Sequence, residues 1–149
     1  MLFQFELPLH QQIKILQHLH NYIFLQHQLK EYQQILQTRG RECADLVVSH
    51  TARVLQNHFR SVDHICRLRE DEFAVIMTRI TRKEKDLVSA KIDQINRMLP
   101  EAEDGVPSVR VSVGVAFSDR ENPAGDIFED ADTALARLKS RKQTGYAFF

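Results

Sequence analysis

The sequence predicts an α+β fold, an α/β sandwich in which a central, mostly antiparallel sheet is flanked by helices. Three observations carry that prediction. Val109, Val111, Val113, Val115 and Phe117 alternate with Arg110, Ser112 and Gly114, the two-residue period of a strand. Arg67 to Met77 reads as a β-hairpin, two apolar runs joined by a short charged tip. The order of periodicities is helix, strand, helix, helix, hairpin, helix, strand, helix, strand, which contains the β-α-β-β-α-β ferredoxin-like arrangement.

Taken in chain order, Pro8 opens a segment whose Leu9, Ile13, Leu16 and Leu19 recur at helical spacing. Tyr22-Ile23-Phe24-Leu25 is a continuous apolar run of aromatic and branched residues, the pattern of a central strand. Glu31 to Gln37 predicts a short helix closed by Gly40. Ala44, Val47, Val48, Thr51, Leu55 and Phe59 then form one helical stripe, with Arg53, Asn57 and Arg60 facing elsewhere and Asp45 suiting the positive end of the helix dipole. The hairpin strands are Ile65 to Leu68 and Phe73 to Met77. Thr81 and Glu84 have the type and spacing of a capping box that opens a helix bearing Val88, Ile92, Ile95 and Leu99, ended by Pro100 and Gly105. Asn122-Pro123-Ala124-Gly125 reads as a loop, Ile127 to Leu138 as the last helix, and Tyr146 to Phe149 as a final strand.

A chain of 149 residues, with 43% hydrophobic and 27% charged residues, is read as one domain spanning 1–149 that buries a core without disulfides or a structural metal. Formal net charge is zero, which argues against nucleic acid and anionic membrane surfaces as partners. Cys43 and Cys66 have no CxxC spacing and read as buried free thiols. No run approaches membrane-spanning length and the start lacks a signal-peptide pattern, so a cytoplasmic protein without membrane insertion is expected. None of the seven histidines has the spacing and nearby carboxylate of a zinc site, so no metal is assigned to them. The predicted domain begins almost at Met1, which predicts no sensory domain before it.

Four segments carry a resemblance. Arg67-Leu68 precedes Arg69-Glu70-Asp71-Glu72-Phe73, Val111 to Ala116 reads V-S-V-G-V-A, and Ala131-Asp132-Thr133-Ala134-Leu135 is followed by Lys139. Upstream stand Tyr32, Ile35, Gly40 and Asp45. In this order and at these separations the chain resembles the GGDEF family, the bacterial diguanylate cyclases that condense two GTP into cyclic di-GMP. The first segment is similar to the family's Arg, one residue, then G-G-D/E-E-F; the second to its S-x-G-x-A strand; the third to its A-D-x-A-L-Y-x-A-K helix. The resemblance implies a nucleotidyl-cyclase palm, in agreement with the predicted fold.

It also implies a damaged active site. Gln28 and Lys30 stand where the family has its metal-binding D-x-D, and an amide and an ammonium are poor company for a hard cation. Leu36 replaces the guanine-reading Asn, Gln33 the phosphate-contacting Lys, and Lys142-Gln143-Thr144 the G-R-N after the last helix. Arg69 and Glu70 replace both glycines, placing long side chains where backbone should approach the nucleotide and changing the turn. Asp45, Asp71, Glu72 and Lys139 survive from the family's site, each equally readable as an ordinary helix or tip charge. With Arg69 and Glu70 they form a vestigial active site, and the expectation is no enzyme, no metal and no cofactor.

Many family members carry an inhibitory R-x-x-D five residues before the motif, and Arg60-Ser61-Val62-Asp63 stands at that offset. A guanidinium fork suits phosphate oxygens and the O6/N7 edge of guanine, and Asp can accept from guanine N1 and N2. An ordinary surface ion pair is the alternative reading of Arg60 and Asp63. Lys91 falls near the place of a further family Arg, and Arg67 or Arg69 is also within the range of a hairpin side chain. The resemblance thus implies a cyclic di-GMP receptor, through Arg60, Asp63 and Lys91, that signals to a protein partner or a second copy of itself. The alternative is a nucleotide-independent pseudo-cyclase scaffold. GTP binding without turnover is a third reading, disfavoured by Leu36 and the lost glycines.

Overall fold

The computed structural model describes residues 21–100 and 105–149. The helix predicted from Pro8 to Leu19 lies outside them.

Five strands and four helices follow in the order β1 (Tyr22–Leu29), α1 (Tyr32–Arg39), α2 (Arg41–His58), β2 (His64–Arg69), β3 (Glu72–Thr78), α3 (Lys85–Met98), β4 (Val111–Phe117), α4 (Ile127–Ser140) and β5 (Gly145–Phe148). The sheet order is β2-β3-β1-β4-β5. Every pairing is antiparallel except β4 with β5, which is parallel. The mostly antiparallel sheet flanked by helices is the architecture the sequence predicts. The apolar run from Tyr22 is its central strand, paired from Tyr22↔Thr78 to Gln28↔Glu72 on one side and from Ile23↔Phe117 to Leu29↔Val111 on the other.

Alternation across the strands divides the core in two. Ile23, Leu25, Phe73, Val75, Val113 and Val115 share a cluster with Tyr32 of α1, Val47 and Leu55 of α2, and Ile92 and Ile95 of α3. Phe24, Ala74, Ile76 and Ala116 point to the opposite face and meet Ile127 and Ala131 of α4. Gly114 is what lets α4 lie directly on β4: a Cβ there would collide with the Ala131 carbonyl and sit 2.8 Å from the Leu135 nitrogen. The S-x-G-x-A pattern therefore has a packing reason.

The capping box forms, with the Thr81 amide donating to Glu84 Oε2 at 2.7 Å, and it opens one 3₁₀ turn, Arg82–Glu84, before α3 begins. Helix α3 stops at Met98, ahead of Pro100, and β4 begins at Val111 although Val109 is already buried. Glu42, rather than Asp45, occupies the first turn of α2. Both cysteines are free thiols; Cys66 is buried, with its thiol pushed up to about 11 by desolvation, but Cys43 is only partly covered.

Candidate functional site

Strand β3 connects two charged regions. It starts at the hairpin tip and ends at Thr78, about 20 Å away at the rise of an extended chain.

At the tip, Glu70 and Asp71 form the turn, and Arg69 faces Glu72 as its cross-strand partner. A two-residue hairpin loop ordinarily needs a left-handed residue, usually glycine or asparagine. None of Arg69, Glu70 or Asp71 has a positive φ. The pairing instead slips between Arg67 and Arg69, leaving Leu68 as a bulge that re-aims the strand. The turn is therefore made without a glycine and without a left-handed residue.

The tip charges are not simply solvated. Glu72 is 4% exposed. Gln26 Nε2 donates to Glu72 Oε2 at 3.1 Å and to Asp132 Oδ1 at 3.0 Å, tying β3 to α4 through β1. Arg69 Nη1 lies 3.7 Å from Glu72 Oε1. Arg67 donates to the carbonyls of Arg69 and Glu70, at 3.1 and 2.8 Å. Arg41, at the start of α2, reaches Glu70 Oε1 at 3.2 Å and the Tyr32 hydroxyl at 3.3 Å. Asp45 is exposed on α2, and Lys139 is exposed in the last turn of α4.

The metal that the resemblance implies does not fit this donor set. Gln28 stands opposite Glu72 in the register, Lys30 follows at the end of the strand, and a guanidinium approaches the buried Glu72 carboxylate. A divalent ion needs several carboxylate or carbonyl oxygens converging on it. Here two carboxylates, Glu72 and Asp132, share the Gln26 amide, a guanidinium stands beside Glu72, and no group of three or more His, Cys, Asp or Glu side chains converges among the described residues.

At the far end, the structure brings Arg60, Asp63 and Lys91 together. Asp63 is 0% exposed. Its carboxylate accepts from the Arg60 backbone N–H at 2.8 Å and from Arg60 Nε and Nη2, the latter at 2.8 Å. The Asp63 amide in turn donates to the Arg60 carbonyl, and Arg60 Nη2 also donates to the Thr78 carbonyl at 2.7 Å. Arg60 keeps 45% of its side chain exposed. Lys91, on α3, donates its ammonium to the His58 carbonyl and lies 5.1 Å from the Phe59 ring centre. Burial depresses the Lys91 ammonium below the usual lysine range; the Asp63 carboxylate opposes that shift and the Arg60 guanidinium adds to it.

Two expectations are corrected by this geometry. Asp63 does not present its oxygens outward, because the Arg60 turn encloses it. Arg67 and Arg69 are bonded at the tip, the opposite end of β3 from Arg60, and do not reach over.

Sequence reasoning missed Gln26, the amide that holds Glu72, and Asp132, the second carboxylate on the same amide nitrogen. The available signal was the polar run Gln26-His27-Gln28 inside the central strand. It also missed His27, which is 0% exposed, has no well-formed hydrogen bond on either ring nitrogen among the described residues, and stands edge-on to Phe59 with ring centres 6.0 Å apart. Desolvation lowers the His27 pKa to about 4, so the ring is neutral. A cleft of about 360 Å³ lies between Arg82, Lys85, Arg120, Glu121, Asn122 and Phe149. Arg120 is spent on buried Asp130 at 2.6 Å, and Arg82 pairs with Glu121 at 3.0 Å and with Asp119. No helix among the described residues is long and apolar enough to cross a membrane.

Known proteins sharpen this picture. The family model for "Diguanylate cyclase, GGDEF domain" matches residues 3–145. The signaling protein YkoW of Bacillus subtilis is 26% identical over 124 residues, covering 81% of this chain but 16% of that protein, so the chain spans a small part of its relative's length. Among solved structures, the GGDEF domain of DgcB from Caulobacter crescentus, in complex with c-di-GMP, superposes with a TM-score of 0.73. It is 19% identical and covers 86% of this chain and 77% of that one. The diguanylate cyclase SiaD of Pseudomonas aeruginosa, in complex with its activator SiaC, gives a TM-score of 0.77 at 22% identity, over 94% of this chain and 55% of that one.

Proposed function

This chain belongs to the GGDEF domain family, and we propose that within it the chain is a non-catalytic receptor for cyclic di-GMP that passes the signal to a protein partner. The donor set at the tip supports a lack of cyclase activity: Gln28 stands opposite Glu72, the Arg69 guanidinium lies 3.7 Å from it, and in-line attack on a triphosphate needs metal charge there.

The receptor reading is carried by one observation, the convergence of Arg60, Asp63 and Lys91 at one corner. Asp63 works as the positioning residue. It fixes the guanidinium from behind with two side-chain contacts, so the exposed part of the fork is already oriented when a ligand arrives. Arg60 then meets a phosphate or the O6/N7 edge of guanine, and Lys91 contributes a second positive charge once its ammonium exchanges the His58 carbonyl for the ligand. The c-di-GMP complex of the related DgcB domain supports this choice of ligand.

Titration calorimetry with cyclic di-GMP tests the proposal. Saturable heat at tens of micromolar that is lost in Arg60→Ala supports it, and no heat from the unmodified chain rejects it. Incubation with GTP and magnesium is expected to yield no cyclic di-GMP; any sustained product overturns the non-catalytic assignment. A nucleotide-independent interaction module is the second reading. It is favoured by the complete enclosure of Asp63, whose carboxylate is already spent on Arg60.

A further inference from the structure

We infer that Arg69 is a tethered cation that takes the place of a divalent metal beside Glu72, so that the hairpin tip is held closed by charge from its own chain. The observation that carries this is the juxtaposition of Arg69 and Glu72 across the turn. A carboxylate that is 4% exposed must be compensated. In this chain the compensation is an amide hydrogen bond from Gln26 at 3.1 Å and a guanidinium nitrogen at 3.7 Å. The register explains why they meet: the bulge at Leu68 makes Arg69, and not Leu68, the residue opposite Glu72. The backbone is shaped to deliver it, because Arg67 holds the carbonyls of Arg69 and Glu70 while Arg41 holds the Glu70 side chain.

The Arg69 side chain is 71% exposed, so its guanidinium covers the carboxylate from the solvent side. That is the direction from which an ion would have to enter, since Gln26 and the sheet fill the other. Gln28 opposite Glu72 offers a neutral amide, so no second carboxylate on the sheet competes for the guanidinium there. The inference is independent of cyclic di-GMP binding at Arg60: it concerns the other end of β3, and either can fail alone.

The test uses the full chain and four variants, Arg69→Gln, Gln28→Asp, Arg69→Gly/Gln28→Asp and Arg69→Lys, each titrated with Mg²⁺ and Mn²⁺ by calorimetry and followed by thermal melting. The unmodified chain is expected to show no metal heat and no metal-dependent rise in melting temperature. Arg69→Gln is expected to melt about 2 °C lower without metal, and Arg69→Lys to recover most of that loss. Gln28→Asp, which keeps Arg69, is expected to remain metal-blind, whereas Arg69→Gly/Gln28→Asp gains a saturable metal-dependent rise. Metal binding by the unmodified chain, or by Gln28→Asp as tight as by the double variant, overturns the inference. If the double variant does not fold, the melting order of the unmodified chain, Arg69→Lys and Arg69→Gln decides it: three equal values overturn the inference.

Discussion

The two ends of β3 both bury a carboxylate, Glu72 at one and Asp63 at the other, yet they solve the charge in opposite ways. At the hairpin tip several charged side chains pair among themselves: Arg69 with Glu72, Arg41 with Glu70, Arg67 with the turn carbonyls. At the Arg60 corner one local turn, closed on Asp63, holds a half-exposed guanidinium in place. A buried carboxylate can thus be met by a cation from across a turn, as at Glu72, or by a local turn that wraps it, as at Asp63. A retained carboxylate says little until its partner is known.

The comparison breaks first at Asp63. Asp63→Ala leaves the Arg60 amide and guanidinium without their acceptor and is expected to cost about 3 kcal/mol, read as a lower denaturant midpoint, and to abolish cyclic di-GMP binding. A loss under about 1 kcal/mol would show that the turn is an ordinary surface pair.

The next effect lies behind that corner, where Phe59 touches both Lys91 and His27. His27 has a folded pKa of about 4 against about 6.5 in an unfolded chain. Between those values the unfolded state binds the proton and the folded state does not, so stability falls as pH drops from about 6.5 to 4 and levels off below. The total is about 3 kcal/mol at most for this group. Chemical denaturation across that range checks it, and His27→Phe is expected to flatten that part of the profile.

Smaller still is Arg60→Ala, expected to cost about 1 kcal/mol while removing ligand heat altogether, since the Asp63 carboxylate keeps its backbone donor. The smallest effect is at Arg41. Its pair with Glu70 is exposed on both sides, so Arg41→Ala is expected to leave the melting temperature unchanged within error.

The fold was legible because its signals are local and periodic. The valine alternation of β4, the apolar run of β1 and the Thr81–Glu84 box each describe their own segment, and all three elements form, with β4 starting two residues later than the alternation and a 3₁₀ turn intervening between the box and α3. The grouping of Arg60, Asp63 and Lys91 was also readable, but only through the family resemblance, since nothing in the spacing of Lys91 places it beside a residue thirty positions earlier. Two things were not legible. Glu72 reads as a tip charge in the sequence and is buried in the structure, because its amide partner Gln26 comes from β1 and is tied in turn to Asp132 of α4. The reach of Arg67 and Arg69 was open in the sequence because a hairpin side chain can turn either way. The bulge at Leu68, set by a turn without glycine, decides it.

Amide chemical-shift mapping with cyclic di-GMP tests the contrast between the two ends most directly. The account predicts saturable shifts at Arg60, Asp63, Thr78 and Lys91, with the tip residues Arg69 to Glu72 silent. Shifts centred on the tip, or none anywhere at tens of micromolar ligand, would contradict it.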